Sequence, residues 1–130
     1  MINMRDDILL ALEQNENLAA QLDEYRGYAA IFGVKAPANQ DFDTYLIYSI
    51  LNQTDTHYGD NNPLAENIQV HISIFTKTGS TSSLSEQTIQ TMKGLGFSCT
   101  YNSEMADEGQ VYIHIPMRFQ TKKTKPKGVN

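Results

Sequence analysis

His57, His71 and His114, the single Cys99, and the carboxylate pairs Asp6/Asp7, Asp41/Asp43 and Asp107/Glu108 are the groups in this sequence best equipped for chemistry. A metal centre needs imidazole, thiolate or carboxylate ligands that converge. His71 and His114 fall on the less apolar faces of two predicted strands and could be neighbours if those strands pair. No carboxylate stands at local spacing beside them, so exposed or hydrogen-bonded sheet histidines are expected, with no metal and no cofactor. His57, beside Asp55 and Tyr58, reads as a solvated loop residue. Nucleophilic catalysis has no better footing. There is no Gly-x-Ser-x-Gly elbow, and the serines between Ser80 and Ser85 suit helix capping. Cys99, between Ser98 and Thr100 in a strand, has no local cation or helix start to activate it and is expected to be buried and structural. The acid pairs lie in turns or at a helix start, where acids occur for ordinary reasons. Gly94-Leu95-Gly96 stops a helix instead of opening a phosphate loop. A protein without catalytic residues is expected.

The elements that position these residues follow from periodicity. Asn3, Asp6 and Asp7 open a helix whose stripe is Ile8, Leu9 and Leu12; Leu18 to Leu22 form one more turn or a short second helix. Tyr25 to Val34 is a short, weak strand interrupted by Gly27 and Gly33, and 35–41 is a loop. Thr44 to Leu51 is a strand apolar on both faces, followed by a polar loop from Asn52 to Pro63. Ile68, Val70, Ile72 and Ile74 alternate with Gln69, His71, Ser73 and Phe75, the period-two pattern of a half-buried antiparallel strand. Ser83 and Glu86 have capping-box spacing for a helix with Leu84, Thr88, Ile89, Met92 and Leu95 inward. Phe97 to Tyr101 is a strand, and Asn102 to Gly109 an acidic turn. In the last strand, Gln110 to Thr121, Val111, Ile113, Ile115, Met117 and Phe119 face one way. Tyr112, His114, Arg118 and Gln120 face the other. Pro116 has no amide hydrogen for a ladder and marks an edge or a bulge. The sum is an α+β fold: a mainly antiparallel sheet of four to five strands with two helices packed on one face.

At 130 residues and 14.6 kDa the chain suits one domain, 1–121, followed by a flexible basic tail, 122–130. With 40% apolar and 19% charged residues it can bury a core. No apolar run is long enough to span a bilayer, so no membrane partner is expected; the first residues lack the pattern of a secretory signal, and a lone cysteine excludes an internal disulfide. The net charge of −5 conceals two regions: all 15 acids lie in 1–121 with six basic residues, a body of −9, while Lys122, Lys123, Lys125 and Lys127 give a tail of +4. Such a body repels nucleic acid from most of its surface, and the tail is either solvated or touches something anionic. Tyr45 or Tyr48, Phe75 and Tyr112 cannot all point into a core on one side of a single sheet. The far face, with Gln69, His71, Ser73, His114 and Arg118 among these rings, has the composition of an interface centre. Alternatively, the long loop or the tail covers it.

The order and wording of the segments resemble the small tail-completion, or tail-terminator, proteins of long-tailed bacteriophages and prophages. The resemblance rests on Met4-Arg5-Asp6-Asp7-Ile8-Leu9-Leu10-Ala11-Leu12, the Tyr45-Leu46-Ile47-Tyr48 strand, and Ile68 to Phe75 ahead of a Ser/Thr-capped helix. It closes on Met92-Lys93-Gly94-Leu95-Gly96-Phe97 and a strand ending Met117-Arg118-Phe119-Gln120-Thr121-Lys122. It covers nearly the whole chain and is loosest over 25–42. It implies a structural protein of the virion, present in the host cytoplasm during assembly and then in the tail. Such proteins form a hexameric ring on the tail tube, stop its polymerisation and offer the head-joining surface. The implied partners are further copies of itself, the tail tube protein, head-tail connector proteins, and DNA passing through the channel without specific binding. A ring needs two different patches on each subunit; Tyr45, Gln69, His71, Ser73, Phe75, Tyr112, His114 and Arg118 are candidates for the subunit interface. Asp55, His57, Tyr58, Asp60, Glu104, Asp107 and Glu108 are candidates for channel or docking loops, their acids keeping DNA from sticking. The alternatives are a neck or head-tail connector protein of the same particle, or a small acidic binding or inhibitor protein.

Overall fold

A computed structural model of the chain describes residues 4–37, 41–55, 58–59, 62–63, 65–106 and 111–124. In chain order its elements are α1 (Met4–Gln14), α2 (Glu16–Ala19), β1 (Glu24–Tyr25), β2 (Tyr28–Ala29), β3 (Ile31–Gly33), β4 (Thr44–Asp55), β5 (Tyr58–Gly59) and β6 (Asn62–Pro63). They continue with β7 (Ala65–Thr76), α3 (Thr81–Gly94), β8 (Ser98–Asn102), β9 (Met105–Ala106) and β10 (Ile113–Thr124). The main sheet runs β3-β4-β7-β10-β8, with β9 also on β10. Every pairing in it is antiparallel except β3 on β4. The fold is α+β with a mostly antiparallel sheet, as expected, although among the described residues its main sheet has six strands and its helices number three.

Alternation decides the faces. Leu46 and Tyr48 on β4, Val70, Ile72 and Ile74 on β7, and Ile115, Met117 and Phe119 on β10 are buried on one side. Ile8 and Leu12 of α1, Leu18 of α2, and Leu84, Thr88 and Met92 of α3 are buried with them. Each such aliphatic or aromatic side chain removed from water contributes about 1.5–3 kcal/mol. Asn15 joins the helices. Its Oδ1 accepts from Leu18 N at 3.1 Å, capping α2, and its Nδ2 donates to Thr91 Oγ1 at 2.8 Å on α3.

Several expectations are corrected. The cap of α3 is Ser80, whose hydroxyl oxygen accepts from Ser83 N at 3.3 Å; Ser83 lies in the first turn and Glu86 is exposed. The helix starts earlier because Gly79 N donates to Thr76 Oγ1 at 2.7 Å, turning the chain directly off β7. A Cβ on Gly79 would meet that oxygen at 2.6 Å, so the approach needs glycine. Strand β4 continues past Asn52 to Asp55 opposite Glu66, because backbone pairing needs no apolar pattern; the register shift between Ile50 and Asn52 admits Leu51 as an extra residue. Likewise β10 runs to Thr124, carrying Lys122 and Lys123 into the ladder opposite Asn67 and Glu66. Val111 and Ile113 are exposed, not in the core.

Pro116 lies in an interior strand instead of at an edge. Its carbonyl accepts from Ser103 N at 3.3 Å, where the outer neighbour of β10 changes from β9 to β8. In a strand a residue's N and O point the same way, so the missing amide hydrogen faces that gap and costs no bond to β7. The weak strand expected over 25–34 resolves into a hairpin and a separate strand. Arg26 (φ 55°) and Gly27 (φ 87°) turn β1 back onto β2, with positive φ at both central residues as in a type I′ turn. β3 then pairs in parallel with β4. At its end Val34 has φ 72°, a left-handed conformation that costs a β-branched residue about 1–3 kcal/mol.

Candidate functional site

The sheet face away from the helices is ordered in rows by strand register. Tyr45, Phe75 and His114 stand opposite one another on β4, β7 and β10. The next row is Ile47, Ser73 and Pro116, and the third is Ser49, His71 and Arg118, with Tyr101 beyond. The rings of the first row stack, with Tyr45 on Phe75 at 4.9 Å and Phe75 on His114 at 4.5 Å with planes 5° apart. Tyr112 meets Tyr45 edge-on at 5.7 Å, and its hydroxyl donates to Phe42 O at 2.6 Å. Phe42 contacts Tyr45 at 5.6 Å and Phe32 at 5.5 Å, and Phe32 contacts Tyr25 edge-on at 5.5 Å.

Seven rings therefore cross the sheet in one band, each contact of the kind that adds about 0.5–1.5 kcal/mol beyond area. Tyr45, Phe75 and Tyr112 share this face, whereas Tyr48 is in the core. Sequence reasoning missed Tyr25, Phe32 and Phe42. Their place depends on the hairpin and on the parallel β3–β4 pairing, and no local pattern announces either.

Charge is arranged at the two ends of the face. Lys77 Nζ lies 2.7 Å from Asp41 Oδ1 and 5.4 Å over the Tyr112 ring; the hydrogen bond it donates to Asp41 raises its pKa above the ordinary ammonium value. At the other end His71, Tyr101, Met105, His114, Pro116 and Arg118 line an open depression of about 430 Å³. His71 and His114 share it without facing each other: His71 is paired with Arg118 and lies 3.4 Å from Ser73 Oγ, and His114 is paired with Phe75. His114 Nε2 is closed off from solvent and has no hydrogen-bond partner among the described residues. Burial, then the Arg118 charge, pushes the His71 pKa below the usual imidazole value. Burial, then His71, does the same to His114.

Both histidines are harder to protonate in the folded chain than in the unfolded one. Their contribution to stability is complete above about pH 6.5 and is lost as pH falls below that value toward the folded pKa values. The melting temperature is therefore expected to fall between pH 7.5 and 5.5. The chain carrying His71→Gln and His114→Gln should show a smaller fall over that range, which a thermal melt series would read directly.

Of the other sequence-predicted residues, Gln69, Ser73 and Arg118 lie on this face. Asp55 ends β4, Tyr58 lies in β5, and Glu104 is exposed between β8 and β9. His57, Asp60, Asp107 and Glu108 lie outside the described residues. Cys99 is half-buried, and its thiol lies 3.4 Å from Tyr101 O. Among the described residues no three His, Cys, Asp or Glu side chains are placed to hold a metal ion. The arrangement offers contact surface: an aromatic band with Lys77 on one side of it and Arg118 on the other.

No protein-family model matches the chain, and no curated protein matches it. A second solved chain aligns over 95% of this one at 11% identity with a TM-score of 0.47, too distant to carry an argument. The chain is similar to one from the virion of a native gene transfer agent particle, at 14% identity over 91% of this chain and 92% of that one, with a TM-score of 0.62, and the likeness establishes a shared fold.

Proposed function

We propose that the protein is a structural subunit of a phage-like particle and acts as the tail terminator. It adds to the end of the tail tube as a ring, stops polymerisation and presents the surface to which the head is joined. The observation that carries this reading is the end-to-end fold match with a chain of a gene transfer agent virion. The order of segments, which resembles the tail-completion family across nearly the whole sequence, narrows the role to the tube end. The open sheet face supports it by offering a continuous band of ring contacts as contact area. An acidic body suits a component past which DNA must slide without sticking.

Polymerisation of the cognate tail tube protein with and without this chain tests the role. Tubes of limited length, each with extra density at one end, are the expected result. Tubes that grow to the same length with bare ends would overturn it. A chain that binds head-side connector rings and ignores tubes would move the role to the neck.

A further inference from the structure

Among the described residues seven large hydrophobic side chains are exposed, and six of them lie toward the two opposite margins of the main sheet. Tyr28 and Val34 stand by β3, at 69% and 62% exposure, and Tyr101, Met105, Val111 and Ile113 by the β8–β9 margin. Four strand spacings, about 19 Å, separate these edges. Beside β3 there is an apolar groove of about 510 Å³ whose lining includes Leu9, Ile31, Phe32, Pro37 and Tyr48, with Lys35 among its residues. Between Gly33 and Lys35, which both line the groove, Val34 holds its left-handed conformation with its N–H donated to Tyr48 O at 2.9 Å. A strained, β-branched side chain is thus displayed to solvent where asparagine or glycine would sit more easily.

At the opposite margin Glu104 is exposed between Tyr101 and Met105. Neither Lys35 nor Glu104 makes an ion pair among the described residues, where Lys77 with Asp41 does. One edge is a groove with a cation, and the other an exposed apolar margin with an anion. The aromatic band between them is satisfied by its own ring contacts.

We infer that the β8–β9 edge of one copy docks into the α1–β3 groove of a second copy, placing Tyr101, Met105 and Ile113 on the groove and Glu104 against Lys35. The contact is heterologous, so every subunit carries both halves and the chain of contacts repeats until it closes. This rests on the assembly role proposed above and assigns its subunit contact to the sheet edges, not to the open face.

Disulfide trapping tests it in full-length protein carrying Cys99→Ser. Chains with Lys35→Cys and with Glu104→Cys, mixed and oxidised, should cross-link to each other roughly tenfold faster than either does to itself, a difference of about 1.4 kcal/mol. A chain carrying both substitutions should run as a ladder of multimers. Adding Val34→Asn should raise the melting temperature by a few degrees, because strain is relieved, and weaken the ladder, because an apolar contact is lost. Equal rates for the three disulfides, or a ladder untouched by Val34→Asn, would overturn the contact. Doubly substituted protein that caps tubes without any ladder, on tubes or off, overturns this contact and leaves the terminator role standing. A ladder from protein that ignores tubes does the reverse.

Discussion

Phe119→Ala is expected to lower the unfolding free energy by about 4 kcal/mol, and the melting temperature by roughly 15 °C. Phe119 is 1% exposed and stands opposite Val70 on β7 and Cys99 on β8, under the helices. Its ring belongs to the one core cluster that includes Phe97, Met92 and Met117. Removing it loses the transfer free energy of the ring and leaves a cavity that β10, held by strands on both sides, cannot collapse to fill. Phe119→Leu keeps most of the volume and should cost about 1 kcal/mol. Urea titrations of the three chains measure this, with an unchanged slope showing that only stability moved. A loss under 1 kcal/mol for the alanine chain would mean that the helices do not pack on this face as described.

The second large effect lies on the opposite face. Phe75→Ala should destabilise the chain by about 3 kcal/mol, even though the ring is only half-buried, because it is the centre of the band. Tyr45 stacks on one side of it, His114 on the other, and Tyr112 meets it edge-on at 6.3 Å. The same substitution opens His114 to water. Burial is the main cause of the low His114 pKa, so the value should move up toward that of an ordinary imidazole. An NMR titration of the His114 ring protons reads this independently of stability. Phe75→Leu, which fills much of the space without stacking, should lie between. If alanine left both the stability and the His114 titration unchanged, the open face would not be an organised surface.

How far the fold was legible from residues alone depended on the kind of signal. Ile68 to Phe75 alternates without a break, so the burial of β7 and the placing of His71 on the open face could both be read directly. The burial of Leu46 likewise fixes Tyr48 inward and Tyr45 outward, but Tyr45-Leu46-Ile47-Tyr48 is apolar at every position and does not say which. Backbone pairing leaves no such trace in side-chain type. Asn52 to Asp55 look like a loop and form a strand, and Arg26-Gly27 makes a hairpin turn without the usual Asn-Gly or Asp-Gly pair. The histidines were assigned to the correct face and share one depression, but their ladder partners, Arg118 and Phe75, follow from register, and register from the ladder as a whole. Three of the seven rings in the band were invisible for the same reason: Tyr25, Phe32 and Phe42 reach it only through the β1–β2 hairpin and the parallel strand. The apolar edges were missed because Val111 and Ile113 continue the alternation of β10 beyond the point where the helices cover it.

The proposed assembly role draws on a shared fold and on a sheet whose open face and edges expose contact area. Cryo-electron microscopy of the assembled particle, focused on the head-proximal end of its tail tube, tests that role most directly. A closed ring of this chain seated on the last tube layer, with successive copies meeting edge to edge, is the expected density. A particle whose tube ends in other proteins, with this chain absent from it, would contradict the account.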